Sequence, residues 1–129
     1  SKNNITYYAE VVIQCSLAIE GLINKLFDDN KNIPKIKALS EGKDSENIIY
    51  GKKLQGLKVI GILNGNCEKV CEEINKLRKD CVHPKKRGLI IKEEQAVDTL
   101  RKTINTSRQI IFSEHVMGIN TVSQSSNKA

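Results

Sequence analysis

An all-α fold, an up-and-down bundle of four to five helices, is what this sequence predicts, and three observations carry the prediction. Apolar residues recur at spacings of three and four in three long stretches, which is the helical period. Short clusters of Asn, Gly and Pro separate those stretches. The chain of 129 residues is long enough for one modest core and too short for two ordinary domains. The expected organisation is a single helical domain over 1–118 and a flexible polar tail over 119–129.

The first stretch places Ile5, Tyr8, Val12, Cys15, Ile19, Leu22 and Leu26 on one stripe, with Ala9, Ile13, Ile23 and Phe27 widening it. It reads as one long helix. Asn3 or Asn4 supplies a candidate N-cap, and the cluster Asp28-Asp29-Asn30-Lys31-Asn32 ends it. A short helix follows over 33–39, with Pro34 suited to its first turn. Residues 41–47 read as a polar loop. Gly42-Lys43-Asp44-Ser45 is not a phosphate loop, because position 37 holds Lys rather than Gly and Asp follows Lys43. A further helix is predicted over 53–63 on Leu54, Leu57 and Leu63. Its Gly56 and Gly61 each cost about 1 kcal/mol relative to Ala in a helix interior and suit close packing.

Asn64-Gly65-Asn66 breaks the chain and launches the next helix at Cys67. Cys67, Val70, Ile74, Leu77 and Cys81 form its core stripe. Glu68, Glu72 and Glu73 lie early and Lys76, Arg78 and Lys79 late, which matches the helix dipole. After a brief apolar crossing at Leu89-Ile90-Ile91, the last helix begins near Lys92. Its core stripe is predicted to be Val97, Leu100, Ile104, Ser107 and Ile111. His115 reads as a surface histidine, and from Asn120 onward there is little to bury.

Composition narrows the function. There are 21 Lys+Arg against 15 Asp+Glu, a formal charge of +6, which favours an acidic partner such as RNA. Three Tyr, two Phe and no Trp are too few for a base-stacking platform. No apolar run approaches the roughly 18 residues of a membrane span, and the signal-peptide layout is missing. No membrane association and a cytoplasmic location are therefore expected. The four cysteines are read as reduced. Cys67, Cys71, Cys81 and His83 run along one helix instead of pairing from separate elements, so no metal site and no cofactor is expected.

The stretch Ile74-Asn75-Lys76-Leu77-Arg78-Lys79-Asp80-Cys81-Val82-His83-Pro84 concentrates the chemistry. Pro84 disfavours the α region at His83, so the helix is predicted to end there. In a straight helix Arg78 and His83 would diverge by roughly 140° and about 7.5 Å. The ending lets them converge. An arginine, four residues and a histidine at a helix end resemble the signature of the HEPN family. Leu17-Ala18-Ile19-Glu20-Gly21-Leu22 and Glu93-Glu94-Gln95-Ala96-Val97 agree with it, and the resemblance spans residues 5–115.

The resemblance implies a metal-independent endoribonuclease acting as a homodimer. His83 would be the general base or acid and Arg78 would stabilise charge on the phosphate. One histidine cannot fill both proton-transfer roles in one step, so two chains would share a cleft. Glu20, Lys79 and Asp80 are the supporting candidates, Glu20 as a carboxylate that holds the Arg78 guanidinium or, on the plainer reading, as a solvated edge charge. Lys85, Lys86 and Arg87 are candidates for RNA-phosphate contact. Active members usually have Asn, Asp or His directly after the arginine, and Lys79 stands there. This favours the alternative, a non-catalytic binding or dimerisation module of a larger defence or toxin-antitoxin system with a protein partner or antitoxin. A third reading has Arg78 and His83 capping helix carbonyls.

Overall fold

The periodic stretches become helices in the computed structural model, which describes residues 2–82 and 90–127, with side chains described over 7–82 and 90–118. Five α-helices occur among these residues, with no strand: α1 (Lys2–Asp29), α2 (Pro34–Ser40), α3 (Tyr50–Val59), α4 (Gly65–Val82) and α5 (Glu93–Asn127). A 3-10 turn at Ser45–Asn47 interrupts the polar loop after α2. The fold is thus an all-helical bundle. No helix among the described residues is long and apolar enough to cross a membrane.

Side chains set the helix ends. The Asn30 amide donates to the Leu26 carbonyl at 2.7 Å, satisfying a last-turn acceptor of α1. Pro34 opens α2, and Glu41 closes it in the left-handed region at φ 51, followed by Gly42 at φ 79. The amide of Cys67 donates to Asn64 Oδ1 at 2.7 Å, so Asn64 is the N-cap and α4 begins two residues before the predicted Cys67. At α5 the Gln95 side chain reaches back to accept the Lys92 amide at 3.0 Å, one arm of a capping box.

The two glycines of the α3 region do different jobs. A Cβ on Gly56 would lie 2.9 Å from Ile36 Cδ1 and 3.1 Å from Phe27 Cε2, so its absence lets α3 close on α1 and α2. Gly61 lies past the helix at φ 89. Its left-handed backbone ends α3 at Val59 instead of position 63, while Ile62 and Leu63 stay buried from the turn.

Neighbouring side chains give the helix directions. Tyr8 lies beside the Glu93 carboxylate and Lys25 beside Glu114, so α1 and α5 run parallel. Cys67 meets Gln109 at 3.3 Å, whereas Leu77 shares a groove with Gln95, so α4 runs antiparallel to both. The main core joins α1, α2, α3 and α4 through Ile19, Ile23, Phe27, Ile36, Leu54, Leu57 and Cys71, and Ile110 of α5 closes it. Val12, Ile91 and Ala96 form a smaller cluster at the other end, with Leu77 and Cys81 against it.

The last helix turns a different face inward from the one predicted. Val97, Leu100, Ile104 and Ile111 are all exposed, while Ala96, Thr99, Thr103, Thr106 and Ile110 are buried. Small side chains on that face allow close approach to α1 and α4. The Thr99 hydroxyl donates to the Gln95 carbonyl and the Thr103 hydroxyl to the Thr99 carbonyl, each at 2.7 Å. Buried threonines satisfied within their own helix compete well with larger aliphatics. The backbone of α5 stays helical to Asn127, through most of the stretch read as a tail.

Candidate functional site

Arg78 follows Ile74 and Leu77 on α4, so the helix that buries those two carries the guanidinium to the same end of the bundle as Val12 and Ala96. It is half-buried. Cys71, Asn75, Arg78 and Val82 are spaced four, three and four apart and share one face of α4. Tyr50, the first residue of α3, covers that face at Cys71 through a side-chain hydrogen bond. From there α3 runs away from Arg78, with Lys58 reaching Glu68 at 3.3 Å. Arg78 therefore sits past the start of α3, on the continuation of the face that Tyr50 covers.

The guanidinium is held from its own helix. Its Nε and Nη2 both donate to Asn75 Oδ1 at 3.4 Å. The i,i+3 spacing makes this contact geometrically natural, and it was readable as a spacing in the sequence, though not as a role. No carboxylate lies within ion-pair distance of Arg78 among the described residues. Glu20 in particular is not its partner. It lies near Tyr50, level with Cys71, while Arg78 is about 10 Å further along α4. Of the other candidates, Lys79 is exposed and Asp80 half-buried. Burial, and after it the Asp80 charge, raises the pKa of the Cys81 thiol. His83, Lys85, Lys86 and Arg87 lie outside the described residues.

Elsewhere, polar groups in the interior are structural. Lys53 is buried, donates to Asn24 Oδ1 at 2.9 Å and stands 6.0 Å from the centre of the Phe27 ring. Burial, then the neighbouring Cys67, pushes the Cys71 thiol up to about 12, and burial raises the Tyr50 hydroxyl as well. Such thiols stay protonated and inert at neutral pH. Among the described residues no three His, Cys, Asp or Glu side chains gather as metal ligands would. His115 is exposed.

A hollow of about 680 Å³ lies at the opposite end of the bundle from Arg78, between the end of α1, α2 and the loop after it. Lys31, Lys37 and Lys43 are matched there by Asp28, Asp44 and Glu46, so its charge is balanced and selects neither sign of ligand. Arg78, with a neutral partner and no acidic one among the described residues, is the better candidate for anion chemistry. No protein-family model, curated protein or solved structure matches this chain.

Proposed function

We propose that this domain is a HEPN-like, metal-independent endoribonuclease that acts as a homodimer, with Arg78 and His83 in a shared cleft. The observation that carries the reading is the state of Arg78. It is a half-buried arginine tied to a neutral amide, without a carboxylate partner among the described residues. A guanidinium has five N–H donors. Two of them meet Asn75, which leaves three for a phosphate, enough for a bidentate contact. In the sequence His83 follows Val82, the last described residue of α4, and could serve a ribose 2′-hydroxyl or a leaving oxygen.

The test is cleavage of single-stranded RNA by the wild type beside Arg78→Ala and His83→Ala. Each substitution is expected to lower the rate by at least about 100-fold with helical content unchanged. Cleavage should persist in chelator and leave a 2′,3′-cyclic phosphate, since the attacking group is the neighbouring hydroxyl. Variants as active as wild type, or a 5′-phosphate product, would remove the mechanism. A second reading, a non-catalytic binding module, is favoured by the exposed Lys79 beside Arg78. It predicts RNA or protein binding with no cleavage by any form.

A further inference from the structure

A face of α5 roughly 120° around the helix from its buried threonines is apolar and exposed. Val97, Leu100, Ile104 and Ile111 are 46, 46, 45 and 53 % exposed, and Phe112 beside them is 68 % exposed. Single exposed aliphatics are ordinary, but four at spacings of three, four and seven on one helix make the a and d seam of a helix-packing surface. At roughly half exposure the five present on the order of 400 Å² of apolar surface, the size that marks an interaction site. A standard interface buries about 800 Å² per partner, somewhat more than half of it apolar. One helix laid along this seam matches that area.

The borders of the seam say what kind of helix. Arg101 and Arg108 are exposed, one heptad apart on an edge that begins at exposed Glu94, and neither arginine forms an ion pair among the described residues. The flank formed by α1 is low, because Ala18 and Gly21 are small and exposed. Toward one end Arg108, Ile111, Phe112, Glu114 and His115 line a shallow depression of about 400 Å³ that an apolar anchor could fill. A second copy would bring the same basic edge to the seam, and each molecule carries +6. Carboxylates at heptad spacing fit it instead.

We infer that α5 carries a docking seam for one amphipathic helix of a partner protein, an apolar stripe edged by Asp or Glu. The seam is a separate surface from the Arg78 face, and its test does not depend on RNA cleavage. The probe is a synthetic peptide of about three heptads with Leu at a and d and Glu at e and g, compared with a twin that has Lys in place of Glu. Repulsion within each peptide opposes its self-pairing. Fluorescence anisotropy with the full chain should show one Glu peptide bound per chain, more weakly as salt rises, and the Lys peptide bound at least about tenfold less tightly. Arg101→Glu with Arg108→Glu should invert that preference, and both residues are on the surface, so folding is not at issue. Ile104→Asp should weaken the Glu peptide by at least about tenfold, with helicity checked by circular dichroism. Wild type that binds neither peptide, or both equally, overturns the inference. So does a wild-type dimer that Ile104→Asp dissociates, which would assign the seam to a second copy.

Discussion

Cys71 shows how burial on a helix stripe becomes a measurable property of one side chain. Its thiol is raised from the ordinary value of 9.0 to about 12, mainly because the core desolvates the thiolate. Between those values the unfolded chain has released this proton and the folded chain has kept it. Its contribution to stability is therefore full below pH 9 and declines as pH rises from 9 toward 12, by about 1.4 kcal/mol per unit. The raised hydroxyl of Tyr50 adds a loss of the same sign above its ordinary 10.0. Urea unfolding midpoints are expected to be level through neutral pH and to fall steadily above pH 9, with a shallower fall in Cys71→Ala. A profile that stays level to pH 11 would show that the thiolate is accommodated in the fold. At this scale the burial of Cys71 was only partly legible, because the stripe read from spacing was Cys67, Val70, Ile74, Leu77 and Cys81, and Cys71 lies beside it. The hold of Asn75 on Arg78 was less so, because many polar pairs three apart on a helix face never meet.

Among the elements, the periodic stretches were legible but their ends less so: α1 starts at Lys2, ahead of the Asn3 or Asn4 read as its cap, α3 ends at Val59 and not at 63, and α4 starts at Gly65 and not at Cys67. Asn64 shows the local chemistry that fixes one such end. It satisfies an otherwise free amide at the start of the helix that carries Arg78. Asn64→Ala is expected to lower stability by about 1 kcal/mol, read as a drop in thermal midpoint, while Asn64→Asp should retain most of it. An Ala variant that melts with the wild type would mean that another group, or water, takes over the cap. The facing of α5 was not legible. Hydropathy ranks Val97, Leu100 and Ile104 above Thr99 and Thr103, but a threonine whose hydroxyl bonds its own helix can be buried without an unmet donor. No buried side-chain polar atom lacks a partner among the described residues. The reading of Glu20 as a partner of Arg78, weighed beside the plainer one of a solvated edge charge, is not met among the described residues for another reason. Which residues of two antiparallel helices stand level depends on the turns between them, and periodicity carries no information about that.

For the whole molecule, the proposed mechanism requires two chains. Sedimentation at micromolar concentration should give a particle of twice 14.4 kDa. Mixing Arg78→Ala with His83→Ala chains, each inactive alone, is expected to restore part of the activity, because a mixed pair keeps one intact arginine and one intact histidine in one cleft. Failure to restore it, with mixed dimers confirmed, would mean self-sufficient sites. The all-helical class was readable from pattern, whereas a surface that would join two copies depends on how exposed side chains are arranged in three dimensions.

The parallel course of α1 and α5 also makes the bundle electrically lopsided. Each helix has roughly half a positive charge at its N-terminus. The N-termini of α1 and α5 lie at the end where Leu77 and Arg78 sit, and α4 runs against them. Glu93 and Glu94 temper this at α5, but α1 has no acid in its first turn. A polyanion arriving at low salt would therefore exert a torque on the protein before touching it, turning the Arg78 end toward itself. This alignment would fade as ions shorten the reach of the field to about 10 Å at 0.1 M.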